Sequence, residues 1–344
     1  MKHLIIILLL LHFGSVGYSQ CCAVGGGSPL AGDASQGVLM AQQAEISSSF
    51  QLINTTRFLT GSQSDTNFLD RFSSQYIYTR LAYGVSERLT MSVEAGYWIS
   101  KKQDGLREAD SYSSKGIGDL VLFPKYNVIK PKAANKFSEL TLGMGVKIPI
   151  GTHNDSIGRL EPFSGEILYS TKPPAVQTTS GGQDLLFSAF YSFGLPGTKL
   201  KLTFNGLHIL KGWNPLGEKL GNYTSIGVFA GRSYFEKLNV AIQLKGEFIG
   251  KMHINPDILM VSFPNYDPEA TGSRKLFIAP QLSFKAVNGL FLFAQGEFPL
   301  YQYVNKTQIA SQWNLTFGIT YRFLARSSAA LSSIPGIEFK PIKE

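Results

Sequence analysis

Cysteine is almost missing from this chain of 344 residues: two occur, Cys21 and Cys22, and they are adjacent. Neighbouring cysteines cannot tie distant parts of a chain together, and a chain of this length is no disulfide-stapled miniprotein, so cystine does not carry the fold. Charge is sparse as well, with Asp, Glu, Lys and Arg making up 16% of residues. Past residue 19 there is no run of 18 apolar residues, which excludes a membrane-spanning helix from that part. Histidine is scarce beyond the N-terminus, where only His153, His208 and His253 remain, and no serine sits in a G-x-S-x-G setting. An acyl-cleaving Ser/His enzyme therefore has little to draw on, and no enzyme activity and no cofactor are expected. What is abundant is glycine, at 35 residues, and aromatic side chains, at 12%.

The first residues follow a secretory pattern. Met1 to His3 give a short basic start, Leu4 to Leu11 are all Leu or Ile, and Gly14, Ser15, Gly17 and Ser19 form a small-residue exit. Gly17 and Ser19 occupy the places a signal peptidase reads, which sets a signal peptide at 1–19 and Gln20 as the new N-terminus. A lipoprotein needs a small residue before its modified cysteine, and Gln20 stands there instead. An exported chain with a formal net charge of +8 has no nucleic acid to meet. Cys21 and Cys22, at the start of a Gly25-Gly26-Gly27 lead, leave open a vicinal disulfide, a soft thiolate pair for copper(I) or zinc, or no role. As metal ligands they are weak candidates, because no histidine lies nearby.

Exported, poorly charged and rich in Gly and aromatics, the chain suits a secreted β protein or a closed barrel in an outer membrane. Alternation shows long strands. In Leu89 to Ser100, Leu89, Met91, Val93, Ala95, Tyr97 and Ile99 share one face and Thr90, Ser92, Glu94, Gly96 and Trp98 the other. Glu139 to Pro149, Leu238 to Ile249 and Gln312 to Phe323 repeat the pattern. Strands of about 11 or 12 residues match a tilted bilayer crossing and are about twice the globular norm.

The connections decide between sandwich and barrel. Strands are expected at about 45–58, 71–85, 89–100, 116–128, 138–149, 182–193, 198–210, 222–233, 238–249, 273–284, 290–299 and 312–323, twelve in all. Between them short links (86–88, 194–197, 234–237, 285–289, with 129–137 somewhat longer) alternate with long ones (59–70, 101–115, 150–181, 211–221, 250–272, 300–311). That asymmetry is the periplasmic-turn and extracellular-loop arrangement of an all-β transmembrane antiparallel barrel. The organisation expected is a signal at 1–19, a periplasmic segment at 20–44 able to enter the lumen as a plug, a barrel at 45–323 and a tail at 324–344. Tyr83, Tyr97, Tyr126, Tyr191, Trp313, Tyr321 and Phe323 fall near strand ends on the lipid face, where aromatic girdles form. Outer-membrane lipid and the barrel assembly machinery are the implied partners; the oligomeric state is left open.

Four stretches carry a family resemblance: "GIGDLVLFPKYNVI" (116–129), "LGMGVKIPIGTH" (142–153), "GGQDLLFSAFYSF" (181–193) and "LTFGITYRF" (315–323). Their motifs are Gly116-x-Gly118-Asp119, Pro149-x-Gly151 and the Gly181-Gly182 turn into a strand. Together they resemble the outer-membrane family named for a phenol-degradation meta-pathway and grouped with fatty-acid-type transporters. The resemblance spans about residues 70–323 and implies a channel or transporter for small organic, often apolar molecules, with no catalytic residues.

Function is then expected on the inward face. Eight strands are filled by side chains and sixteen hold water, so twelve predict a narrow lumen closed by inward side chains or an N-terminal segment. Arg80, Glu94, Asp119, Lys125, Glu139, Lys147, Asp184, Lys199, Lys201, Lys245, Glu247, Lys275, Glu297 and Arg322 are the expected charged lining, joined by Trp98, Phe123, Phe277, Phe291 and Phe293. Charges of both signs either pair as packing or form a selectivity ring. Inner-face Gly96, Gly143, Gly145 and Gly318 serve close strand approach or clear a passage. The loop 150–181, with Pro162, Pro173 and Pro174, binds a partner or folds inward. A surface-binding, adhesin-like barrel is the alternative, and a lipid hydrolase using His153 or His253 a weaker one.

Overall fold

The computed structural model describes residues 37–65, 69–105, 111–129, 138–160, 163–195, 197–198, 200–235, 237–256 and 267–325. It is an all-β, closed antiparallel barrel of 12 strands. In chain order the elements are β1 (Gln43–Thr55), β2 (Phe58–Gly61), β3 (Gln63–Ser64), β4 (Leu69–Gly84), β5 (Leu89–Gly105), β6 (Tyr112–Leu122), β7 (Lys125–Ile129) and β8 (Ser138–Pro149). They continue with β9 (Ser156–Leu160), β10 (Ile167–Thr171), β11 (Asp184–Gly194), β12 (Leu200–Leu210), β13 (Glu218–Lys219), β14 (Tyr223–Tyr234), β15 (Leu238–Ile249) and β16 (His253–Ile254). A 3-10 turn (Pro268–Ala270) precedes β17 (Ser273–Val287), β18 (Leu290–Ile309) and β19 (Trp313–Leu324).

The wall runs β1, β4, β5, β6 with β7, β8, β11, β12, β14, β15, β17, β18 and β19. It closes where β1 pairs β19 from Gln43↔Leu324 to Asn54↔Trp313. Hydrocarbon offers no partner to a backbone N–H or C=O, so a sheet crossing a bilayer must return on itself. Side-chain burial follows the twofold period: on β5, Met91, Val93, Tyr97 and Ile99 are exposed, while Thr90, Ser92, Glu94 and Trp98 are buried. The outward set is apolar because it meets lipid, and the buried set is largely polar because it meets only other inward side chains.

The sequence-based boundaries hold closely for β8 and β15, and depart from the structure elsewhere. The expected strand 116–128 is two, β6 and β7, broken at Phe123-Pro124 because proline has no N–H for the ladder. Phe123 still exchanges backbone bonds with Ser92, so Val121, Phe123, Lys125 and Asn127 stay on the inner face. The expected link 300–311 is mostly strand, since β18 continues to Ile309 and pairs with β2. The other long links also carry structure: a β9–β10 hairpin, and a β13–β16 pairing that joins two loops.

Tyr83, Tyr126, Tyr191, Tyr321 and Phe323 are exposed at the end that bears the short turns. Tyr97 is exposed but lies mid-strand, because β5 runs on to Gly105, and Trp313 is half-buried at the opposite end.

Lipid-face burial generates a depth test. Leu244, exposed midway along β15, replaced by Arg should cost about 2–4 kcal/mol of folding stability, and Phe235→Arg in a short turn about 0–1 kcal/mol. Denaturant titration of the folded fraction in lipid vesicles reads both.

Candidate lumen and its constriction

Three groups of inward charges line the barrel, each made by neighbouring strands at one end of the wall. Near the short-turn end, Glu45 on β1 accepts from Arg80 on β4 and from Arg322 Nε on β19 at 2.6 Å. The Glu45 side chain is fully buried, so the two guanidiniums are its whole solvation. Glu94 accepts from the Tyr78 hydroxyl and from Ser92 Oγ at 2.7 Å. The ammonium of Lys125 lies 5.7 Å from the Phe123 ring centre and 5.6 Å from that of Phe190. Half-buried Glu139 accepts from Asn127 Nδ2 at 2.8 Å.

The second group sits at the other end. Lys147 Nζ is 2.9 Å from Asp184 and 3.3 Å from Asp119, and Lys211 Nζ reaches Asp184 at 2.8 Å. On the facing wall, Lys245 Nζ lies between Glu297 (2.7 Å) and Glu247 (2.9 Å). There Tyr223 donates to Glu247 at 3.0 Å, Asn314 to Glu297 at 3.2 Å, and Lys275 to Ser311 at 2.9 Å. Of the remaining expected lining residues, Trp98 is buried, Lys201 is exposed at a strand end, and Lys199 lies outside the described residues.

Between these groups much of the interior is packed, although inward Ser47, Ser49 and Gln51 on β1 stay partly accessible. Phe123, Ala279, Gln281, Thr203 and Thr316 are all nearly inaccessible. The inner-face glycines explain part of this: a Cβ at Gly96 would lie 1.7 Å from the Tyr76 hydroxyl, one at Gly145 2.2 Å from the Phe123 ring, and one at Gly318 2.2 Å from Phe293. Gly96, Gly145 and Gly318 seat aromatic rings from adjacent strands, and at Gly145 the close strand approach holds as well, since a Cβ there would also lie 2.7 Å from Leu122 O.

The long loop between β8 and β11 divides its work. Its hairpin β9–β10 stands exposed, whereas Val176, Gln177, Thr178 and Thr179 are buried inside the mouth. Ala175 packs on a cluster of Ile53, Phe58, Phe72 and Ile309. Trp98 Nε1 donates to Thr178 O at 2.9 Å and Lys101 Nζ to Gln177 O at 2.8 Å. Thr179 donates to Asp119, Lys147 reaches Ser180 Oγ at 2.7 Å, and Asn214 Nδ2 donates to Ser180 O at 3.0 Å. The segment 175–180 thereby narrows the long-loop mouth from the β18 side round to β8.

The three sequence motifs meet at the root of this segment. Asp119 pairs Pro149 in register; a Cβ at Gly151 would lie 2.2 Å from Ile117 O and 2.8 Å from Thr178 Oγ1. Gly181, at φ +73°, packs on the His153 ring, and a Cβ at Gly182 would strike Gly212 O at 2.5 Å. Outside the bilayer, Asp155 anchors the loop by accepting from Lys172 at 2.5 Å and Ser114 at 2.9 Å. Burial alone would raise the Asp155 carboxyl; the Lys172 and Ser114 bonds outweigh it and hold the group below its ordinary value.

The three histidines among the described residues do not gather. His208 shares a 2.8 Å bond with Thr224, His253 faces Lys219 on the small β13–β16 sheet, and His153 lies under Gly181. Among the described residues no group of three or more His, Cys, Asp or Glu is placed to hold a metal ion, and Cys21 and Cys22 lie outside those residues. Sequence reading passed over Glu45, Lys101 and Lys211, though Glu45, Ser47, Ser49 and Gln51 alternate against Ile46, Phe50 and Leu52 and carried a signal for the first.

Two outcomes are expected. Glu45→Gln removes the anion between two guanidiniums, which costs about 3–5 kcal/mol in a buried pair and shifts reversal potentials in a salt gradient towards anion preference. A carboxylate held low stabilises the loop above its unfolded pKa, near 3.9, and that contribution is lost as pH falls through the folded value. Protection from hydrogen exchange across 172–180, relative to the intrinsic rate at each pH, should thus fall in acid, and Asp155→Asn should show the same loss of protection at pH 7.

No family model matches the sequence, and no curated protein matches it. Solved structures do match. An outer-membrane channel from Pseudomonas putida F1 superposes with a TM-score of 0.64 at 14% identity, covering 84% of this chain and 98% of that one. The KdgM porin with oligogalacturonate follows at a TM-score of 0.43 and 6% identity, over 81% and 99% of the two chains. A Pseudomonas aeruginosa FadL homologue follows at 0.37 and 8%, over 90% and 100%. The last two add nothing to the first. The first shares the barrel architecture over 84% of this chain, and by fold the chain is a closed β-barrel of the outer-membrane type.

Proposed function

We propose that the chain is an outer-membrane channel for passive passage of small, uncharged organic molecules, apolar or aromatic ones included. The observation that carries this reading is the inward-folded segment 175–180 above an interior whose acids are held by cations or hydrogen-bond donors. A barrel serving only as a rigid support has no need of a loop tied into its mouth. Paired charges present no net field to an ion, while inward Trp98, Phe277 and Phe293 favour organic solutes. Where the interior is packed, a solute passes by displacing side chains, so throughput is low. The resemblance to the phenol-degradation family points the same way.

The signal at 1–19 and the tail at 324–344 belong to this reading, as does the plug segment. What supports a plug is the first described stretch, which follows the inner wall: Gly37 lies against the Glu139 carboxylate, Leu39 N donates to Thr90 Oγ1 at 2.7 Å, and Gln42 N donates to Gly84 O. The adhesin-like alternative has one observation in its favour, the exposed Leu160, Phe163, Ile167, Leu168 and Tyr169 of the hairpin region.

Planar-bilayer recording separates these. The intact protein should give small, discrete conductance steps, replacing 173–180 by a Gly-Ser link should enlarge them severalfold, and deleting 156–171 should leave them unchanged. Silence from all three proteins, with no solute flux in vesicles, would sink the channel reading.

A further inference from the structure

The charged groups leave a continuous row between them. Gln281 on β17 stands directly opposite Gln295 on β18, Gln295 opposite Thr316 on β19, Thr316 opposite Gln51 on β1, Gln51 opposite Tyr76 on β4, and Tyr76 opposite Trp98 on β5. Six consecutive strands thus offer amide, amide, hydroxyl, amide, phenol and indole, and no charge. Strands of a closed barrel tilt by about 35–45°, so a row perpendicular to them climbs the wall as it turns. It rises from the inner half of β17 to the Trp98 indole, whose N–H is bonded to the constricting segment at Thr178.

The chemistry of the row is one-sided. The amide nitrogen of Gln295 is directed at Glu297 (3.3 Å) and that of Gln281 at Ser283 (3.4 Å). The carbonyl oxygens of Gln51 and Gln281 are buried with no hydrogen-bond partner, and Gln281 is 2% exposed. A buried acceptor left unmet costs about 1–3 kcal/mol, a cost that a donor from a passing molecule removes. At the upper end the Tyr76 and Trp98 rings lie 4.2 Å apart, and the Lys101 ammonium lies 4.5 Å from the centre of the Trp98 ring.

We propose that this row is the solute track of the barrel and that it selects neutral, hydroxyl-bearing molecules, which donate to the Gln281 and Gln51 carbonyls and stack on Tyr76 and Trp98. The assignment rests on the channel reading and adds the solute class to it. Sugars and phenolic glycosides share this chemistry.

Vesicle swelling with the full-length protein tests it. Arabinose carries donors, whereas glycine betaine is neutral overall and has none. Wild type should swell faster in arabinose, and Gln51→Leu with Gln281→Leu should lower the arabinose rate about tenfold, near the 1.4 kcal/mol of a lost hydrogen bond, without changing the betaine rate. Should the double variant fail to insert, Gln281→Leu alone carries the test. Arbutin outrunning the smaller arabinose assigns the track to phenolic glycosides; the reverse assigns it to sugars. Equal arabinose and betaine rates in wild type, or a preference that survives the substitutions, overturns the track and leaves the channel standing. No swelling with any solute overturns both.

Discussion

Everything in this molecule depends on a backbone that has no water to bond with. Across hydrocarbon each N–H and C=O must find a partner in the sheet, and the pairing of β1 with β19 supplies the last set. Once the wall is closed, side chains can only point to lipid or to one another. The outward half becomes apolar by necessity, and the inward half is free to hold polar groups that no soluble core of this size would admit. Glu45 between Arg80 and Arg322, and Lys245 between Glu247 and Glu297, are products of that confinement.

Confinement also explains why the interior charges are structural before they are selective. A lone buried ion is expensive, so each acid is placed against a cation or hydrogen-bond donor on an adjacent strand. The result is a polar interior whose acids each meet a partner, with aromatic rings seated on glycines between the charged groups. The segment 175–180 extends the same logic to the mouth: its backbone carbonyls are met by Trp98, Lys101 and Asn214, residues of the wall and of a neighbouring loop.

Much of this was legible in the sequence. The twofold period marks which residues of β5, β8 and β15 face inward, and the alternation of short and long links marks which end is which. Interior contacts were not legible, because pairing depends on register between strands far apart in the chain. Gly116, Gly118, Asp119, Pro149, Gly151 and Gly181 read as three weak motifs; only the fold shows that they form one seat for one loop segment. Gly96 and Gly145 read as bulge or passage residues, because nothing local says that Tyr76 and Phe123 lie over them. The extension of β18 was hidden by Asn305 and Lys306, which look like a turn and which the strand absorbs, Lys306 at φ 48°.

The central claim is that a polar, charge-paired barrel passes neutral organic solutes in preference to ions. Its most direct test is to measure neutral-solute influx and ion leak in the same proteoliposomes. The account predicts solute influx well above the lipid background with an ion leak small beside it. A large ion leak with no solute influx would contradict it.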